Sequence, residues 1–391
     1  MYCTLHDTQD LAGELKALRQ HIHAHPELGY EEYATGGLVA RLLTEWGFTV
    51  TGDIGTTGMV ATLRHGEGTR TVAVRADMDA LPIVEATALE YASTEEGKMH
   101  ACGHDGHTAM LLGAARELAR SRRFSGTVHL IFQPAEEVGK NSGAQRMIED
   151  GLFERFPCDA IFGMHNHPGM PSGHFGFHSG AFMCASDTAF ITVNGLGGHA
   201  ARPHQSVDPL VAASHVVIAL QSVISRNIDP LQTGIISIGT FHSGHVENVI
   251  PDMAQLGLSI RSFSPEVRAR LKQRVIEVAT QQAAALGATA DVDYSEGYPV
   301  LVNSNAETQF ASDVAKELVG EACVNDEFPA ITGSEDFAYY LQHVPGCFMR
   351  LGNGTDSAML HNPRYDFNDA NLTVGAAYWT RLVERFLSSS T

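Results

Sequence analysis

Thr127-Val128-His129-Leu130-Ile131-Phe132 is an apolar run of strand length that meets Gln133-Pro134-Ala135-Glu136-Glu137, so a buried strand is expected to enter a turn at Pro134 with two acids just beyond it. Two other stretches behave alike. Ala160-Ile161-Phe162-Gly163 leads into Met164-His165-Asn166-His167-Pro168, and a glycine-interrupted stretch ends at Met359-Leu360-His361-Asn362-Pro363. Donor side chains on loops at strand ends, fixed by a rigid sheet, are where α/β proteins place their sites. Consecutive side chains of an extended backbone point apart. One of Glu136 and Glu137 is therefore expected to bind a cation while the other stays available as a base.

Upstream, His100-Ala101-Cys102-Gly103-His104-Asp105-Gly106-His107 concentrates a thiol and several imidazoles in one short segment. Cys102 and His104 stand two apart, so in extended backbone both leave the chain on one side. Thiolate and neutral imidazole are borderline-soft donors suited to zinc and neighbouring divalent ions. Taken singly, each residue has an ordinary reading. A lone histidine among 20 is a surface or hydrogen-bonded side chain, Cys102 a buried thiol, and Glu136-Glu137 a solvated pair. Asp105 by itself caps a helix beginning near Gly106. The coincidence of all of them on strand-end or helix-start loops favours a metal site.

The chain has 391 residues, 44% hydrophobic and 18% charged, which fits a globular protein of two or three domains. Its 45 acidic against 26 basic side chains give a formal net charge of −19, which argues against nucleic acid or an anionic membrane as partner. The six cysteines (Cys3, Cys102, Cys158, Cys184, Cys323, Cys347) have no disulfide-framework spacing. Met1 to Asp10 show no basic region followed by an apolar run, and no membrane-spanning run is expected. The expectation is a cytoplasmic protein with reduced thiols.

Helix and strand patterns alternate along the first part. Leu11, Leu15, Leu18 and Ile22 recur at helical spacing until His25-Pro26-Glu27-Leu28-Gly29 breaks it, and Leu38, Leu42 and Trp46 mark a second helix stopped at Gly47. Strands are expected at 59–63, 71–76, 127–132 and 159–164, with helices at about 106–119 and 142–149. From about Cys184 the pattern becomes β-α-β-β-α-β: strands at 187–194, 234–240, 253–263 and 288–294, helices from Leu210 to Ile224 and over 265–286. That is a ferredoxin-like α+β set. The expected architecture is α/β: a mixed-sheet catalytic domain in two parts, 1–183 and 298–391, with an inserted satellite domain at 184–297.

His100-Ala-Cys-Gly-His-Asp-Gly-His107, Gln133-Pro-Ala-Glu-Glu137, Gly197-Gly-His-Ala-Ala-Arg-Pro203, Gly333-Ser-Glu-Asp-Phe337 and Leu360-His-Asn-Pro-Arg-Tyr-Asp-Phe367 resemble the amidohydrolase branch of the aminoacylase and dipeptidase metallopeptidases. That branch includes hippurate hydrolase, plant indoleacetyl–amino acid hydrolases and N-acetyl-diaminopimelate deacetylase. The resemblance spans nearly the whole chain, in order. It implies a binuclear-metallopeptidase catalytic domain holding two divalent ions, and a satellite domain that mediates assembly into a homodimer or higher homo-oligomer. It further implies Cys102, His104, Glu137, His165 (rather than His167) and His361 as metal ligands, with Glu136 as general base.

More distant relatives carry a histidine ligand where this chain has Arg75, which cannot bind a cation; Cys102 and His104 are expected to compensate, with Asp77 orienting a ligand from behind. Glu136 would take a proton from a metal-acidified water and return it to the leaving amine. His199, in a glycine-rich loop, is the candidate oxyanion donor, from its own or the partner subunit. Asn248 and Arg261 are candidates to hold a substrate carboxylate. The expected substrate is a small N-acyl amino acid, hippurate-like or N-acetylated, with Phe182, Phe241 and Tyr298 considered for an acyl pocket. The alternative is a dipeptidase or aminopeptidase using the same centre. The donor set admits zinc, manganese, nickel or cobalt.

Overall fold

The computed structural model describes residues 8–388; Cys3 and the first residues of the N-terminal reading lie outside them. In chain order the elements begin with α1 (Thr8–Ala24), α2 (Tyr33–Glu45), β1 (Thr49–Ile54), β2 (Gly58–His65), β3 (Thr71–Asp77), α3 (His104–Ser121), β4 (Gly126–Gln133) and α4 (Gly143–Glu149). There follow α5 (Leu152–Arg155), β5 (Ala160–Pro168), β6 (Phe175–Gly176), β7 (Gly180–Met183), β8 (Ala185–Asn194), β9 (Gly198–His199), α6 (Pro209–Asn227), β10 (Gly234–Ser243) and β11 (Val249–Ile250). The remainder is β12 (Met253–Ser262), α7 (Pro265–Ala285), β13 (Thr289–Glu296), β14 (Leu301–Asn303), α8 (Asn305–Val319), β15 (Val324–Asn325), α9 (Phe337–Leu341), β16 (Gly346–Gly354) and α10 (Asn371–Phe386).

The chain divides into two compact units. One comprises the described residues up to Gly180, Val302–Pro329 and those from Asp336 onward; the other is Ala181–Leu301 with Ala330–Glu335. The first unit is mixed α/β, built on an eight-stranded sheet of order β1-β2-β4-β3-β5-β16-β6-β15. Its central strands β4, β3, β5 and β16 run parallel, so their carboxyl ends open on one edge, where open α/β sheets bind ligands.

Side-chain alternation divides the work of that sheet. On β3, Val72, Val74 and Ala76 join the main hydrophobic cluster with α1, α2, α3, α8 and α10. Arg75 and Asp77 have the opposite parity, as do Gln133 on β4, His165 on β5 and Arg350 on β16, the last two being direct register partners. Polar groups thus share one face near the strand ends while the other face holds the core. Helix α2 stops at Glu45, close to the expected Gly47, whose φ of +88° suits glycine.

The second unit carries a four-stranded antiparallel sheet of order β10-β12-β8-β13. With α6 and α7 this is the β-α-β-β-α-β connectivity. Ala189, Ile191 and Val193 of β8 pack with Leu220 of α6 and Leu271 of α7. Helix α6 is long and apolar enough, by length and composition alone, to cross a membrane. It buries Ala212, Ala213, Val216, Leu220 and Val223 in the core of its own unit. Phe182 and Tyr298 are buried, at 0% and 5% exposure, whereas Phe241 is 40% exposed.

Candidate metal centre

Cys102 and His104 do converge, although not as neighbours in an extended segment. Gly103 between them is left-handed (φ +92°) and is the N-cap of α3, so His104 occupies the first helical position. A Cβ at Gly103 would stand 2.4 Å from Asn166 Oδ1 and 2.6 Å from the Tyr365 hydroxyl, so no side chain fits there. Asp105, for which capping is the ordinary reading taken singly, is not the N-cap, which is Gly103. It lies in the first turn, where its carboxylate accepts from His23 Nδ1 at 2.8 Å and Arg19 Nη1 at 3.5 Å.

The acid pair departs from the expected geometry. Past Gln133 the chain leaves strand, and Glu136 and Glu137 sit in a turn rather than extended backbone. Ala135 before them has φ +50°. Both acids face the same centre: the ligating atoms of His104, Glu136 and Glu137 lie within 4.8 Å of one another.

Of the other groups of described residues that meet the same distance limit, two contain Cys102. One is Cys102, His104 and His165; the other is Cys102, Glu137 and His361. Cys102 belongs to both. Its Sγ is 3.3 Å from His165 Nε2, and His361 Nε2 is 3.1 Å from Glu137 Oε1. His167, two residues beyond His165, instead packs edge-on against Phe328. His361 adopts φ +64° and is more exposed than the other donors.

Behind these donors lies a shell of carboxylates. His104 Nδ1 donates to the Asp79 carbonyl at 2.9 Å and to Asp79 Oδ1 at 3.1 Å, while Asp79 Oδ2 accepts from the Glu137 amide at 2.9 Å. Asp77 Oδ1 holds His107 Nδ1 at 2.6 Å, and its Oδ2 accepts from Arg75 at 2.7 Å and lies 3.6 Å from His104 Nε2. Arg75 is buried and also donates to Gln133 at 2.8 Å and Asp336 at 3.0 Å, which ties the ends of β3 and β4 together. Asp79, His107 and Asn166 join the site without being among the candidates the sequence singles out. His100-to-His107 held the signal for one of them, since His107 lies one helical turn after His104.

The donors suit cations. His104 Nε2 is buried without a hydrogen-bond partner among the described residues, with its other nitrogen already committed. Burial lowers His104, but Asp77 and Asp79 outweigh it and raise the imidazole to about 10. Burial, and then Glu137 and Glu136, push the Cys102 thiol well above its usual range, so a thiolate there requires compensating positive charge. Burial with His107 and Arg350 holds His165 well below its usual value, in the neutral form a ligand needs. Hydrogen bonding to Glu137 raises His361.

The remaining candidates lie in the second unit. His199 is exposed on β9, which pairs with β11 so that His199 faces Val249, and the Ala200 amide donates to the Asn248 carbonyl at 3.1 Å. Arg261, half-buried on β12, donates to Ser334 Oγ at 2.9 Å.

Residues 73–385 match the family described as peptidase family M20/M25/M40. The chain is 42% identical to a hippurate hydrolase of Campylobacter jejuni over 379 residues, covering 97% of this chain and 98% of that one. It is 39% identical to an N-acetyl-L-cysteine deacetylase of Bacillus subtilis, covering 97% and 90%. Among solved structures it is similar to the Bacillus subtilis YXEP protein, a dinuclear metal binding peptidase from the M20 family. There the TM-score is 0.84 and the identity 33%, over 97% of this chain and 99% of that one.

Proposed function

The chain belongs to peptidase family M20/M25/M40, and on that premise we propose that it is a metal-dependent amidohydrolase of N-acyl amino acids. It would release a carboxylic acid and a free amino acid. One observation carries the reading: two clusters of ligating atoms share the single sulfur of Cys102. Cys102, His104 and His165 would hold one divalent ion, and Cys102, Glu137 and His361 the other.

When bound, the ions supply Lewis acidity toward the amide carbonyl and acidify a water. Glu136, 6% exposed and close to His104, takes the proton of the attacking water. It then delivers that proton to the amide nitrogen, because an amine leaves a tetrahedral carbon only when protonated. Asp79 keeps the His104 ring turned by holding its Nδ1–H. His199 is assigned the oxyanion donor, and Asn248 and Arg261 the substrate carboxylate; exposure of His199 in a glycine-rich loop supports the first assignment. The cysteines described are unpaired, which supports a reducing compartment such as the cytoplasm.

The test is a substrate panel: hippurate and N-acetyl amino acids against dipeptides with a free amine, using protein of known metal content. Hydrolysis of the N-acyl compounds, with free-amine peptides cleaved at least about tenfold less well in kcat/KM, is expected. The reverse preference would replace this reading with a dipeptidase or aminopeptidase.

A further inference from the structure

Glu32 precedes the first turn of α2 and is fully buried. Its Oε1 accepts from the Ala135 amide at 2.8 Å and its Oε2 from the Thr57 hydroxyl at 2.5 Å. Ala135 is itself buried in the left-handed region, where the Cβ of an L-residue crowds its carbonyl. Its own carbonyl accepts from Gly143 N at 3.0 Å, so both backbone polar groups of this strained residue are committed. The approach is close: a Cβ at Gly29 would stand 2.7 Å from Val138 Cγ1 and 3.0 Å from Ala135 Cα. The segment leading to Glu32 therefore abuts the turn that carries Glu136 and Glu137.

We propose that Glu32 is a positioning residue: its carboxylate holds Ala135 in the left-handed conformation that turns Glu136 and Glu137 together toward the metal centre. The proposal rests on the reading of that centre given above. An alanine has no preference for this conformation, and Pro134 restrains only the residue before it and itself. Gly143 and Asp79 hold the Ala135 carbonyl and the Glu137 amide, and the bond to Glu32 is the one that holds the amide of the left-handed residue itself. A group buried this completely is costly unless its partners are satisfied, and here they are. Burial pushes Glu32 up to about 7 against the pull of Thr57 and Ala135. A neutral acceptor in the same place should therefore serve.

The experiment compares wild type, Glu32→Gln, Glu32→Ala and the double variant Glu32→Ala/Ala135→Gly as full-length zinc-loaded proteins. Each is assayed for hippurate kcat and KM, for thermal midpoint, and for zinc retained against increasing chelator. Glu32→Ala should lower kcat by about tenfold or more, with KM changed less, and should release one zinc at about tenfold lower chelator than wild type. Glu32→Gln should stay within about threefold of wild type, because its amide oxygen still accepts from Ala135. Glycine adopts positive φ without a clash, so Ala135→Gly should recover much of the loss in the double variant. Unchanged kcat and zinc retention in folded Glu32→Ala overturns the proposal, and so does a lowered thermal midpoint alone. Should Glu32→Ala not fold, the double variant decides: folded and active supports the proposal, unfolded or inactive overturns it. A wild-type chain inactive on every N-acyl substrate would sink the functional reading, while zinc retention would still report on Glu32.

Discussion

Asp79 grips His104 from behind, its carbonyl and Oδ1 accepting from the ring Nδ1 at 2.9 and 3.1 Å, and with its other oxygen accepts from the Glu137 amide at 2.9 Å. One carboxylate thus sets two donors of the proposed centre. Asp79→Ala should weaken retention of divalent metal by about 10–100-fold. Chelator competition followed by elemental analysis checks this, and affinity equal to wild type would remove Asp79 from the role.

Glu136→Gln keeps the size of the side chain and removes its basicity. Metal content should stay at the wild-type level while hippurate turnover falls at least about a hundredfold. Turnover within a few-fold of wild type would leave the base unassigned.

Sharing of Cys102 between two clusters predicts unequal consequences for two ligand deletions. His361→Ala should lose one ion and keep the other. Cys102→Ala should retain less than one per chain, since both sets lose a donor. Metal-to-protein ratios after dialysis against metal-free buffer distinguish the two; equal ratios would mean the sulfur is not common to both ions.

Burial alone would lower His23, but hydrogen bonds to Asp105 and Glu85 raise it from 6.5 to about 9. A raised folded-state value contributes stability that is fully present below the unfolded value and is lost as pH climbs through the folded one. The contribution should be on the order of 3 kcal/mol at most, present at pH ~6 and gone by pH ~10. Urea midpoints should fall over that window in wild type and change less in His23→Gln. Parallel pH profiles for the two proteins would refute it.

His199→Ala should lower kcat by about 10–100-fold with a smaller change in KM, the pattern of a donor that acts on developing charge. Mixing His199→Ala with Glu136→Gln chains asks whether a second copy of the chain supplies the imidazole. Recovered turnover on mixing assigns it to a second copy of the chain, and no recovery to the same chain.

The donor-bearing loops were legible because apolar runs mark strand ends, and strands β3, β4, β5 and β16 do place Asp77, Gln133, His165 and the segment before His361 along one sheet edge. The β-α-β-β-α-β stretch was legible for a related reason: its alternation in β8 and its helix faces are local patterns. What no local pattern marks depends on three-dimensional encounter. Asp79 lies two residues past the end of β3 and reads as one more loop acid until His104, 25 positions later, folds against it. Glu32 and His23 flank a segment that reads only as a helix breaker, and their partners Ala135 and Asp105 lie 103 and 82 positions away. Local preference allows Asp105 a capping role, but its burial beside Arg19 and His23 is set by residues more than 80 positions away.

The donors of the proposed centre are strung from Cys102 to His361, and His361 is the last to be synthesised. A nascent chain emerging from the ribosome therefore carries Cys102 and His104 long before either can be enclosed. The ion proposed for Cys102, Glu137 and His361 can be enclosed only when synthesis is nearly complete, after all of Cys102, His104 and His165 have already emerged.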